Sequence, residues 1–397
     1  MKKLADRGYK LTLSQTLAVS AKANKMKRKG VDVVNLTVGE PDFPTPNNIK
    51  MSAVRALSKN YTKYTNSSGI EPLRLAVADT YRDKYGVNFG VKNVTISNGA
   101  KQALTNVIMA LCERGDEVLI PTPSWLSYPE MVLLSSASPK MVYTGEENDF
   151  KITAERLREK ITKDTKLLIL CSPSNPTGAV YSKDEMDAIV KVIEETNIYV
   201  VHDEIYEKLI YDDEKHVSLC QYDEIRDQVI IINGVSKSYA MTGWRIGYSI
   251  ANEEISAVVR KLQSHMTANP NSIAQKASIE AISGDQSEVE RMRIIFDSRR
   301  LAAFERVSSI PDVIPYLPKG AFYIFTDFSA YYGKRIRGRL IENNDDLVNY
   351  FLEDLLVGCI SGSAFGSSKH IRFSYACSEF EFLRGMDRIE AGLKQLV

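Results

Sequence analysis

The sequence predicts an α/β protein: a mostly parallel sheet covered on both faces, with a smaller unit at its C-terminal end. Three observations carry this. Short apolar runs alternate with longer amphipathic stretches as far as residue 284. A long charged helical stretch, residues 285–308, then interrupts the alternation. Pro311, Pro315 and Pro318 follow it, and the chain resumes helix and strand patterns to its end. Strands alternating with helices are the pattern of a parallel sheet, whose strands are buried on both sides and read as continuous apolar runs.

The strand candidates are residues 94–96 (VTI), 117–120 (EVLI), 167–170 (LLIL), 198–201 (IYVV) and 229–232 (VIII). Amphipathic stretches at 101–114 and 183–196 read as helices between them. The long stretch 285–308 reads as a connection into the smaller unit, which closes with an amphipathic run at 379–397. No repeat or low-complexity tract is present.

The totals narrow the function classes. The chain has 397 residues, 44% hydrophobic and 25% charged, which suits a globular protein of more than one domain. A net charge of +1 gives no reason to expect nucleic acid or an anionic membrane as partner. No run approaches a membrane span, and the basic start lacks the apolar core of a signal peptide. Five scattered cysteines without a CxxC fit free thiols in a reducing compartment, so a cytoplasmic location is expected. Four histidines without ligand spacing suggest no metal site.

In open α/β sheets, ligands bind beyond the carboxyl ends of the strands, so the residues just after each run matter most. After Ile96 comes SNGAKQAL (97–104), small residues at a helix start. That pattern suits an anion, and equally an ordinary capped turn. After Leu170 comes CSPSNPTGAVYS (171–182), where prolines stiffen the loop around Asn175. After Val201 comes HDEIYEKL (202–209), which sets Asp203 at a strand end with Tyr206 three residues on. A carboxylate there needs a partner or caps a helix. After Ile232 comes GVSKSYAMTGWRIGY (234–248), with Lys237 and, eight positions later, Arg245 between Gly243 and Gly247. A buried lysine loses its proton more readily and attacks carbonyls, and an arginine fork suits phosphate. Each feature alone has a structural explanation. Together they match one ligand, pyridoxal phosphate, which needs an amine, an anion, hydroxyl or amide donors and a phosphate cradle.

In order along the chain, LTVGEPDFPTP (36–46), KYTNSSG (63–69), SPSNPTG, DEIYE, SKSYAMTGWRIGY and HIRFSYACSE (370–379) resemble the class I aminotransferases of the fold type I pyridoxal-phosphate enzymes. The likeness is strongest to the subgroup of bacterial aspartate and prephenate aminotransferases. It implies a mostly parallel seven-stranded sheet in a large domain over 45–285, and a smaller α/β domain made of 1–44 and 286–397. Lys237 would join covalently to the cofactor's aldehyde and move the substrate's proton. Asp203 would pair with the pyridine nitrogen, and Asn175 and Tyr206 would donate to the ring oxygen. Gly99, Ala100 and Lys101 would offer backbone N–H groups to the phosphate, Arg245 its guanidinium, and Tyr64 would reach the phosphate of a second copy, making a homodimer. Trp125 would stack on the ring. Arg372 would clamp the substrate α-carboxylate beside Gly39.

One departure stands out. Many relatives carry a serine three residues before the lysine, where this chain has Gly234, with Ser236 the nearest hydroxyl. Phosphate binding is therefore expected to rest on Arg245, Tyr64 and the loop after Ile96. For the distal carboxylate, the stretch 264–277 has no arginine, so Lys101 and Thr16 are expected to serve. The resemblance thus implies amino-group exchange between L-aspartate and 2-oxoglutarate. Alternatives on the same scaffold are prephenate, alanine, aromatic or kynurenine-type transamination, or a C–S lyase. A non-catalytic binding module is disfavoured by the presence of Lys237.

Overall fold

A computed structural model of the protein describes residues 3–13 and 15–397, apart from the side chains of residues 6 and 7. Its larger sheet has seven strands: β1 (Val94–Ser97), β2 (Glu117–Thr122), β3 (Ser138–Tyr143), β4 (Thr165–Cys171), β5 (Tyr199–Asp203), β6 (Val229–Gly234) and β7 (Gly247–Ile250). Their spatial order is β1-β7-β6-β5-β4-β2-β3. The pairs among β2 to β6 are parallel, and β7 runs antiparallel to both neighbours. Alternate residues of the central strands serve opposite cores. Leu168, Leu170 and Ile231 join one apolar cluster; Leu167, Ile169, Ile230 and Ile232 join the other. A sheet covered on both faces has no polar positions to alternate with, which is why these runs are continuously apolar.

The helices that matter for the site are α1 (Gln15–Arg28), α2 (Ala100–Leu111), α3 (Ser127–Leu134), α4 (Lys183–Thr196), α5 (Ser287–Ser308) and α6 (Glu379–Leu393). Helix α4 begins where its sequence signals: the Ser182 side chain accepts from the Glu185 N–H, and the Glu185 side chain accepts from the Ser182 N–H. Helix α5 spans roughly 33 Å. It buries Val289, Met292, Phe296, Arg300, Ala303 and Val307, a spacing of three and four that makes one stripe. The buried Arg300 is held by Asp212, Asp297 and the Pro318 carbonyl.

Beyond α5 lies a four-stranded antiparallel sheet of β8 (Ile314–Tyr316), β9 (Tyr323–Asp327), β10 (Ile360–Ser361) and β11 (His370–Ser374), in the order β10-β11-β9-β8. The early pair Val34–Asn35 runs parallel to Val357–Gly358, so the N-terminal segment packs with this second sheet.

Two strands of the large sheet escape the sequence patterns. Strand β3 (SPKMVY) is an edge strand, mostly exposed and opened by a serine and a proline, so it carries no apolar run. Strand β7 (GYSI) is fully buried but only four residues long and overlaps the end of the lysine–arginine stretch, so it makes no apolar run of its own.

Candidate active site

A cavity of about 460 Å³ opens at the carboxyl ends of the large-sheet strands and is closed from the other side by the small sheet. Lys237, Asp203, Tyr206, Asn175, Ala100, Lys101, Trp125, Arg245, Gly39, Arg372 and Thr16 all line it. The segments that supply them are far apart in sequence and meet only because their strands are neighbours.

Asp203 ends β5 and is 3% exposed. Its Oδ2 accepts from the Tyr128 hydroxyl at 2.8 Å and its Oδ1 from the Ile205 N–H at 3.2 Å. Burial nonetheless pushes its carboxyl up to about 6. A carboxylate so placed calls for a cation in the cavity, and a protonated pyridine nitrogen meets that need. Lys237 follows β6 and donates to the Gly39 carbonyl. Burial pulls its amine down to about 8, with Arg372 and Arg245 adding to the effect and Glu40 opposing it. A minority of the amine, far more than for an exposed lysine, is therefore neutral near physiological pH, as attack on an aldehyde requires.

The anion cradle forms between β1 and α2. Gly99 is the N-cap of α2, with φ +86, and a Cβ there would lie 2.5 Å from an Arg245 guanidinium nitrogen. The glycine thus lets the arginine lie against the helix start. Its own N–H is bonded to the Ser97 carbonyl at 2.8 Å. First-turn N–H groups at Ala100 and Lys101 have no intrahelical acceptor, so they and Arg245 are the donors at hand. The missing serine also has a structural reason. A Cβ at Gly234 would stand 2.9 Å from Gly247 Cα and from the Ile246 carbonyl, because β6 and β7 pair there. Ser236 does line the cavity. These features fit the phosphate, ring nitrogen and aldehyde of pyridoxal phosphate.

On the opposite wall, Arg372 is 2% exposed. Nη1 donates to Asn175 Oδ1 at 2.8 Å and Nη2 to the Thr37 carbonyl at 2.9 Å. Its Nε has no partner. The guanidinium lies 4.3 Å from the Tyr323 ring and 4.9 Å from the Phe365 ring. Because Arg372 takes the Asn175 oxygen, the amide nitrogen is the end left for a ring oxygen. The Tyr206 hydroxyl meets that of Tyr323 at 3.0 Å. Lys101 Nζ donates to Ser127 Oγ at 3.1 Å and lies 4.8 Å from the Trp125 ring. Burial lowers the Lys101 amine's proton affinity, and Arg245 adds to this.

Two of the expected residues, Gly99 and Tyr64, are not on the cavity lining; Tyr64 is 93% exposed. Sequence reasoning missed Tyr128, Tyr323 and Thr37. Tyr128 had a faint signal, three residues after Trp125 and so near it on one helical turn. Tyr323, inside AFYIF, reads as strand core. The fold also gathers what spacing did not suggest: His202 and His216 both reach Glu204 Oε1, at 3.0 and 3.4 Å, behind the sheet. Burial alone would push Glu204 up, but the two imidazoles hold it well below the usual carboxylate range.

A family model described as Aminotransferase class I and II matches residues 31–389. The chain is 42% identical over 392 residues to an aspartate aminotransferase of Bacillus sp. (strain YM-2), covering 98% of this chain and 99% of that one. It is 40% identical over 380 residues to a probable aspartate/prephenate aminotransferase of Rickettsia felis, covering 95% and 93%. In space it matches the crystal structure of the aspartate aminotransferase from Rhizobium meliloti with a TM-score of 0.96, 36% identity and full coverage of both chains. Against the Thermus thermophilus aspartate aminotransferase with maleate the TM-score is 0.92, at 36% identity over 99% of this chain and 100% of that one. A lysine, a carboxylate and an anion cradle at three strand ends are thus set in a fold shared over almost its whole length, and the chain belongs to the class I and II aminotransferases, enzymes that work with pyridoxal phosphate.

Proposed function

We propose that the enzyme exchanges the amino group between L-aspartate and 2-oxoglutarate, with oxaloacetate and L-glutamate as products. One observation carries the substrate reading: a single cavity holds Arg372 on its small-sheet wall and Lys101 on its large-sheet wall. A dicarboxylate needs two cationic contacts. Arg372 suits the α-carboxylate as a planar fork, and Lys101, with Thr16 also on the lining, suits the distal one as a point charge. The maleate in the Thermus thermophilus relative is itself a dicarboxylate. Relatives named aspartate/prephenate aminotransferases favour prephenate as a second acceptor at the same two residues.

Pyridoxal phosphate supplies an aldehyde that couples to amines and a ring that draws electrons from the carbon beside them. The chain's residues do the rest. Lys237 Nζ would hold the cofactor and accept the proton leaving the substrate Cα. Asp203 would keep the ring nitrogen protonated. Asn175 and Tyr206 would donate to the ring oxygen, Trp125 would cover the ring, and Ala100, Lys101 and Arg245 would hold the phosphate. Gly39 stands at the α-carboxylate, with its carbonyl already on Lys237.

The segment 45–285 is taken as the cofactor-binding domain, and 1–44 with 286–397 as the smaller one; the pairing of Val34–Asn35 with Val357–Gly358 supports that division. A homodimer is part of the reading, because an exposed Tyr64 outside its own cavity suits a role in a second copy's site. Sedimentation should show a dimer, and an active monomer would refute it. A cytoplasmic setting is supported by five free cysteines; among the described residues, no helix is long and apolar enough to cross a membrane.

The test is a panel of donors and oxo acids, prephenate included, on the wild type and Lys101→Ala. Losing the lysine should lower kcat/KM for dicarboxylic substrates about 10- to 100-fold and leave alanine nearly unchanged. Equal losses for all substrates would remove the two-cation argument.

A further inference from the structure

We propose that His370 is a positioning residue: with Glu146 it ties the strand bearing Arg372 to the large-sheet half, and so sets where the substrate α-carboxylate is held. The proposal rests on the reading of Arg372 as that carboxylate's clamp.

His370 opens β11 and stands two residues before Arg372. Residues two apart on a strand share a face. On that face a continuous stack joins them. The Phe325 ring lies parallel to the His370 ring, centroids 4.5 Å apart at 8°. It meets Phe365 edge-on at 6.3 Å, and Phe365 packs 4.9 Å from the Arg372 guanidinium. Shifting His370 along the strand therefore disturbs the aromatic bed under the arginine.

The other side of the imidazole belongs to the large-sheet half. Glu146 begins the short turn Glu146–Asn148 that follows β3. Its Oε1 lies 2.7 Å from His370 Nε2, while Nδ1 lies 2.7 Å from Ser367 Oγ. Both ring nitrogens are engaged, so the ring's orientation is fixed. Phe150, just past the same turn, packs edge-on against His370, Phe325 and Tyr316 at 5.2, 5.7 and 5.3 Å. The turn thus plugs into the small sheet directly behind the clamp. His370 and Glu146 are not on the cavity lining, so neither touches substrate. Placement matters because a clamp misaligned by about 1 Å costs up to about 100-fold in rate.

The experiment compares Glu146→Ala, His370→Ala, His370→Gln, the double alanine variant and Arg372→Lys in the holoenzyme. Glu146 is exposed, so its removal leaves the core whole. Glu146→Ala should raise KM about 10-fold for both amino acids and both oxo acids alike, with kcat within about 3-fold and cofactor absorbance unchanged. The double variant should be no worse than the poorer single, since the two residues act as one tie. His370→Gln, whose amide nitrogen stands where Nε2 does and keeps an N–H for Glu146, should recover part of the loss. An unchanged KM in Glu146→Ala, or a rise confined to one substrate, overturns the proposal. If Arg372→Lys raises every KM while Glu146→Ala raises none, only the positioning role falls. If Arg372→Lys changes nothing, the reading of the clamp itself falls.

Discussion

The two walls of the cavity are built in opposite ways. The cofactor wall takes short segments that follow strands of the large sheet: 100–101, 125–128, 171–175, 203–206 and 236–245. Each segment carries its chemistry within a few residues of an apolar run. The substrate wall is made by long-range meetings. Arg372 bonds Asn175 across 197 residues and Thr37 across 335. Tyr323 reaches Tyr206 across 117. A site inherited from strand ends can be found by reading the chain, whereas a site made between two sheets exists only once both are folded.

The contrast can be broken at its strongest point by Lys237→Ala. If Lys237 is the amine that anchors the cofactor and takes the proton, as proposed, its loss should lower kcat at least about 10⁴-fold with the fold intact. Near-normal turnover would move the chemistry elsewhere on the wall. Arg372→Lys probes the opposite wall. It leaves the Asn175 oxygen or the Thr37 carbonyl without its buried donor and removes the fork, so a loss of about 2–5 kcal/mol in substrate affinity is expected. Cofactor absorbance should not change. A shifted spectrum with unaltered KM would show that the two walls are not separable.

A subtler difference concerns stability without cofactor. Asp203 has its carboxyl raised to about 6 from the ordinary 3.8, because burial disfavours the anion. Between those values the folded chain binds more protons than the unfolded chain, so this group costs stability as pH rises, fully so above about 6. Asp203→Asn should therefore stabilise the cofactor-free protein by up to about 3 kcal/mol at pH 8. The gain should shrink as pH falls toward 5. Urea titrations at several pH values measure it, and a difference that stays flat with pH would contradict the burial argument.

The same contrast explains which parts were legible. The central strands and α4 follow from local pattern, since a doubly covered sheet demands unbroken apolar runs and a capping box marks a helix start. Lys237, Asp203, Asn175 and Arg245 stand out because polar or charged residues directly after such runs are unusual. Strand β3 was hidden because an exposed edge strand has no need of apolar residues. Gly99 is visible as a glycine at a helix start, but its contacts are not. Only the fold shows its N–H turned to Ser97 and the Arg245 guanidinium lying where a side chain would be.

The sequence by itself determined the layered α/β architecture and the chemistry waiting at each strand end, because burial pattern and residue type are local properties of a chain. Only the tertiary structure decided how Arg372 is held, that Tyr128 serves Asp203, and that Glu146 reaches His370 from the other half. Those outcomes depend on which strands become neighbours and how two sheets face each other. Contacts between distant segments carry no local pattern, and they are set by packing the whole core at once.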